Sequence, residues 1–106
     1  MWAVNGNDLR MCEGDWGVQL PITISGVTFS NNDELILTVK EKLNGTTLIT
    51  KNYTNITQNT ITLEVTEVES ALLKVGVYVY SLDWFQNGAF LCNIIPTAIF
   101  KVVEKA

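Results

Sequence analysis

The 106-residue chain has no histidine, only two cysteines and only two prolines. Without histidine, a Ser-His or Cys-His nucleophile pair is excluded within the chain. Cys12 and Cys92 alone are too few ligands for an intrachain zinc site. They either form a disulfide or stay as two reduced, part-buried thiols. The second is the expectation for a cytosolic product. No apolar run reaches the roughly 18 residues that a membrane helix needs. The longest candidate, residues 90–100, is broken by Asn93 and Pro96. Residues 1–10 lack the basic start and apolar run of a signal peptide. The expectation is a chain made and kept in a cytosol, with no membrane partner, unless an assembly carries it out. Positive charge is also scarce, with 7 basic against 11 acidic residues and a net charge of −4. Such a chain has no electrostatic reason to hold nucleic acid.

Carboxylates are present but not in chemical patterns. Glu13 and Asp15 share a turn, Asp33 and Glu34 share another, and Glu67 and Glu69 share a helical turn. None has EF-hand spacing, and each reads as a solvated turn or cap. No glycine-rich phosphate loop is present. We therefore expect no catalytic, cofactor-binding or metal-binding residues, and no cofactor. Asn44, Asn52 and Asn55 begin sequons, which here mark a polar, turn-prone stretch.

What the chain does have is alternation. The hydrophobic fraction of 47% is ordinary for a globular chain, and the length suits a single domain over 1–106. Residues 1–6 read as a loose segment with Trp2, either a lid over one end of the core or a subunit contact. Residues 8–12 alternate as a first strand. Residues 17–25 follow as a second, on an edge or bulged because Pro21 donates no hydrogen bond. After a loop with Phe29 tucked inward, residues 34–43 form a strand, turning at Asn44-Gly45 into a return over 46–53. Residues 60–65 form the next strand. Thr66 and Glu69 have capping-box spacing, which predicts a helical turn over 66–73. The count is seven to eight strands with tight connections and no crossover helix. This favours an antiparallel β-sandwich.

The last third is a long predicted hairpin, 77–86 and 89–103, turning at Asn87-Gly88. Both residues of that type I′ turn need φ > 0, which Asn and Gly tolerate. Tyr78, Tyr80, Leu82 and Trp84 form the core face. A two-residue turn sets Trp84 opposite Leu91, Phe85 opposite Phe90 and Asp83 opposite Cys92. Asp83 then either meets a partner such as Arg10 or points to solvent. Near the turn both faces are apolar, whereas a sandwich buries one. Either the N-terminal segment with Trp2 covers the second face, or a partner does. Pro96 predicts a kink or bulge in the last strand.

A helical turn followed by Gly76-Val77-Tyr78 resembles the tyrosine corner of immunoglobulin-like domains. Tyr80 stands where antibody domains carry a cysteine, so the resemblance concerns the sandwich alone. A wider pattern combines Asp8-Leu9-Arg10-Met11-Cys12-Glu13-Gly14-Asp15, Val18-Gln19-Leu20-Pro21-Ile22-Thr23-Ile24-Ser25-Gly26, and Thr66-Glu67-x-Glu69-Ser70-Ala71-Leu72. It continues with Gly76-x-Tyr78-x-Tyr80-x-Leu82-Asp83-Trp84, Asn87-Gly88-x-Phe90-Leu91-Cys92-Asn93 and Phe100-x-Val102. Over nearly the whole chain this resembles small phage and prophage proteins of Gram-positive gut bacteria. It is also similar to the N-terminal immunoglobulin-like domain of phage baseplate upper proteins. The resemblance implies a non-enzymatic tail or baseplate component, in a virion or in the bacterial host cytoplasm. Its partners would be other tail or baseplate proteins, or further copies of itself. The expected contact residues are Trp84, Phe85, Phe90, Leu91 and Trp2. Gly76, Tyr78, Asn87, Gly88 and Pro96 are expected to shape the scaffold. Pairing along an open sheet edge is a second route to a partner. A carbohydrate- or ligand-binding module using exposed aromatics, Trp2, Trp16, Trp84 and the tyrosines, is the alternative.

Overall fold

The computed structural model describes residues 2–56 and 58–104, leaving Met1, Thr57 (the threonine of the third sequon), Lys105 and Ala106 outside them. The strands are β1 (Ala3–Asn5), β2 (Asp8–Cys12), β3 (Gln19–Thr23), β4 (Asp33–Lys40), β5 (Thr47–Thr54), β6 (Thr60–Glu64), β7 (Gly76–Gln86) and β8 (Ala89–Val103). One short helix, α1 (Glu67–Leu72), lies between β6 and β7. The chain is an all-β sandwich. Its larger sheet has the order β1-β2-β8-β7-β4-β5, and β3 and β6 form the second sheet. Every pairing is antiparallel except β2 with β8, where the first long strand runs parallel to the last. Strands joined by tight turns must run antiparallel. β2 and β8 share no turn, so neither direction is imposed on them.

Strict alternation builds the core. Along β4, Asp33, Leu35, Leu37 and Val39 are buried while their neighbours are half-buried. Leu35, Leu37 and Val39 face Trp84, Leu82 and Tyr80 on β7, and Phe100, Val102, Leu9 and Met11 extend the same inner face. Ile61, Leu63 and Val65 close the core from the second sheet. Leu73, just after α1, is fully buried in it.

The predicted cap is present in full. Glu69 N donates to Thr66 Oγ1 at 3.2 Å, and Thr66 N donates to Glu69 Oε1 at 2.9 Å. Glu69 is not merely a solvated cap, since Lys51 Nζ meets Oε1 at 2.6 Å. Burial pushes its carboxyl up, but the Lys51 and Thr66 bonds outweigh that and leave it lowered. The tyrosine corner also forms, with Tyr78 Oη donating to Lys74 O at 2.7 Å. Gly76 is not forced by this corner. An added Cβ would meet its nearest neighbours at 3.8 Å, which is ordinary contact.

The N-terminal segment is not loose. Residues 3–5 pair with β2 across a Gly6-Asn7 turn. Trp2 sits half-buried, edge-on to Phe100 at 5.5 Å, and its Nε1 donates to Val18 O at 2.9 Å. It is a lid on the inner core, joining the two sheets. It does not cover the outer face of the hairpin. The cysteines are free, Cys12 half-buried and Cys92 exposed rather than part-buried. Cys12 pairs with Val103, eleven positions along β8 from Cys92. That separation is on the order of 30 Å. A disulfide needs Cα atoms within about 7 Å.

Candidate interaction surface

The candidate surface is the outer half of the β7–β8 hairpin and the face of the large sheet that continues from it. Asn87 (φ 53) and Gly88 (φ 80) both take the left-handed conformation, as a type I′ turn requires. Beyond the turn the two strands do not match in length. Eleven residues of β7 (76–86) face fourteen of β8 (89–102), and the register shifts three times, between Tyr80 and Leu82, Leu82 and Asp83, and Trp84 and Phe85. Each shift absorbs one extra residue of β8. One falls at Leu91, one at Ile94 and one in the pair Pro96-Thr97, so the bulge expected at Pro96 is present with two companions.

The bulges alter the predicted register. Phe85 faces Phe90, as expected, at 5.7 Å between ring centroids. Trp84 faces Cys92 instead of Leu91, and Asp83 faces Asn93 instead of Cys92. The extra residue at Leu91 shifts everything beyond it by one. Asp83 accepts from Asn93 Nδ2 at 2.5 Å rather than from Arg10.

The two faces of the tip differ. On the inner face Trp84 is half-buried and meets the Phe29 ring edge-on at 5.1 Å. On the outer side Phe85 is half-buried, while Phe90 and Leu91 are 56% and 49% exposed. Of the five expected contact residues, the structure leaves Phe90 and Leu91 open and stacks Phe85 on Phe90. Trp84 packs on Phe29, and Trp2 lies on the inner core. Trp16 is exposed near Trp2, at the opposite end from Trp84, so the three tryptophans form no row.

A residue that looked like a solvated turn fixes the tip. Asp33 is buried, and its Oδ2 accepts from Ser30 N at 2.6 Å and from Ser30 Oγ at 3.3 Å. The Ser30 backbone N–H holds its carboxyl below the usual range against the opposing effect of burial, and the Trp84, Gln86 and Ser30 side chains add to the lowering. Asn87 N donates to Asn32 O at 3.0 Å. The loop before β4 is thus latched to the turn and to the β7 side of the hairpin tip. The sequence signal was Ser30-x-x-Asp33 ahead of a strand, a local side-chain-to-backbone turn.

The open sheet edges are a second place for a partner, and most are blunted. In β3, Ile24 N donates to Asn59 O. Antiparallel alternation then points the Pro21 nitrogen away from β6, toward the free edge, where the missing N–H removes a donor. The same alternation points Thr62 O out of the free edge of β6, and Tyr53 Oη covers it at 3.0 Å. Burial, then the Glu69 charge, raises the Tyr53 hydroxyl to about 12, so it stays a donor at neutral pH. β1 has only three residues, and residues 89–97 of β8 carry the bulges and Pro96. Among the described residues β5 keeps the longest regular free edge.

No helix is long and apolar enough to cross a membrane, and the described residues contain no cluster of three or more His, Cys, Asp or Glu side chains that could hold a metal. Comparison with known proteins finds no matching family, no matching curated protein and no matching solved structure.

Proposed function

We propose that this chain is a non-enzymatic structural or adaptor module that works through protein–protein contacts at the outer half of its hairpin. The observation that carries the reading is the pair Phe90 and Leu91, each about half exposed on a backbone held by three bulges, a type I′ turn and the Asp33 latch. Adjacent exposed apolar side chains on an ordered arm cost solubility unless something covers them. Aromatic anchors of this kind concentrate binding energy. The blunted edges favour side-chain contact over strand addition. The setting we propose is a phage or prophage tail or baseplate, supported by the order of strand and turn motifs that resembles such proteins.

The test is Phe90→Asp combined with Leu91→Asp, followed by mass spectrometry of purified particles induced from the source strain. The parent is expected in the particle. The variant is expected to be lost from it while keeping its melting temperature within a few degrees, because both side chains are exposed. A parent absent from the particles, or a variant retained at parental level, would overturn the proposal.

A further inference from the structure

The outer face of the large sheet carries a charge pattern that the hairpin tip alone does not explain. Cross-strand partners share a face. Arg10, Lys101 and Val77 therefore form one row, and Ile99, Val79 and Lys40 the next. Further along come Ser81, Thr38 and Thr50, then Asp83 with Ile36, then Phe90, Phe85 and Glu34. One end of the face is basic (Arg10, Lys40, Lys101). The other is acidic and aromatic (Asp83, Glu34, Phe85, Phe90). The basic rows also carry exposed or half-buried aliphatics, with Val77 58% and Ile99 39% exposed.

The basic end keeps a net positive charge, with Arg10, Lys40 and Lys101 against the one carboxylate of Asp8. Arg10 sits directly opposite Lys101, a like-charge pair that destabilises a sheet. Asp8, the acid on that part of the face, accepts from Ile99 N at 3.1 Å. At the other end Glu34 accepts from Asn52 and Asp83 from Asn93, both neutral amides. An ion pair joins Lys51 to Glu69, away from this face.

We infer that the outer face of the large sheet packs against the same face of a second copy, turned end for end about a two-fold axis near Ser81 and Thr38. This deepens the proposal above, resting on it for the outer side of the hairpin tip being a contact surface, and names the partner. The axis lies across the strands, so β4 lies over β4 of the other copy. The row of Ile99, Val79 and Lys40 then lies over the partner's row of Asn93, Asp83 and Ile36, so Lys40 of each copy comes beside Asp83 of the other, twice by symmetry. The row of Lys101 and Val77 lies over the partner's row of Phe90, Phe85 and Glu34, which sets Val77 over Phe85 and Lys101 over Phe90 at the acidic end. The central row is Ser and Thr, small enough for two sheets to approach to about 10 Å. Six strands about 4.8 Å apart and roughly eight residues long offer on the order of 600 Å². That is close to the roughly 800 Å² per partner of a specific interface.

The symmetry gives the test. Lys40→Glu with Lys101→Glu makes both ends acidic, and Glu34→Lys with Asp83→Lys makes both ends basic. Each variant repels its own copy at both contacts, whereas the two attract one another at both. By sedimentation equilibrium the parent is expected as a dimer of its 11.8 kDa chain, weakening about tenfold between about 50 mM and about 500 mM salt. Each variant alone is expected as a monomer, and an equimolar mixture as a heterodimer, which also shows that both are folded. A parent monomeric at roughly 0.5 mM, corresponding to a dissociation constant weaker than that, overturns the inference. So does either variant self-associating like the parent, or a mixture that stays monomeric. If the parent is monomeric yet Phe90→Asp with Leu91→Asp is still lost from the particle, the partner is not a second copy and the contact reading stands. If the charge rules hold while that variant is retained in the particle, the dimer stands and the tail or baseplate contact falls.

Discussion

The two halves of the β7–β8 hairpin both carry aromatic and aliphatic side chains and have opposite roles. In the inner half, residues 76–80 pair residue for residue with 98–102, and β2 flanks β8 on the far side. Phe100 is fully buried there, between Trp2 and Tyr80. In the outer half β8 has no strand on its far side and three extra residues, and its residues 89–93 are all exposed. For the phenylalanines the difference lies in what each half is packed against. A phenylalanine is core where a second sheet covers it and surface where none does. The bulges keep the outer half from being a flat edge that any strand could join.

The largest expected effect breaks the inner half. Phe100→Ala removes a fully buried ring that stacks edge-on with Trp2 at 5.5 Å and Tyr80 at 6.3 Å. A cost of about 3–5 kcal/mol is expected, read from urea unfolding. Trp2 would lose its seat at the same time, so tryptophan fluorescence should shift to the red in the folded variant. A cost below about 1 kcal/mol would mean that Trp2 and its neighbours refill the site.

The inner half was legible in the sequence because its signals are local and regular. Period-two alternation, Gly76-x-Tyr78 and the Thr66-Glu69 box each report on a few adjacent residues. The strands and the helix follow them to within a few residues. β1 was missed although Gly6-Asn7 is a turn pair, because three residues are too few to show alternation. The outer half was legible only in part. Pro96 announced one bulge, but Leu91 and Ile94 carry no mark, since any side chain can occupy a bulge. Each unmarked bulge moves the partner of every residue beyond it, which is why Trp84 meets Cys92. Asp33 was read as solvated because its burial depends on Trp84, about fifty positions away. The charge rows of the outer face likewise need the register of five strands at once.

A smaller effect tests the latch at the hairpin tip. The Asp33 carboxyl is lowered in the folded chain, first by the Ser30 N–H and then by the Trp84 and Gln86 side chains. A lowered folded value means that the ionised form favours the folded state. Its contribution is complete above the unfolded value near about 4 and fades as pH falls through the folded value. Asp33→Asn should therefore be less stable than the parent across neutral pH, and the two stability curves should converge below about pH 4. Urea midpoints measured from pH 7 downward check this. Parallel curves across the acid range would show that geometry, not charge, makes the latch.

The smallest expected effect sharpens the comparison most. Phe90→Ala deletes a ring as large as that of Phe100, from the other end of the same strand, but one already 56% exposed and packed on Phe85 at 5.7 Å. The unfolding free energy should change by less than about 0.5 kcal/mol when the chain is dilute enough to be monomeric. At higher concentration the parent should gain stability from association and the variant should not, because a partner bound only to the folded state adds stability by mass action. A concentration series of thermal melts separates the two cases. If Phe90→Ala lowers the dilute midpoint as far as Phe100→Ala does, the outer half is core after all, and the exposed ring has a structural task within the single chain.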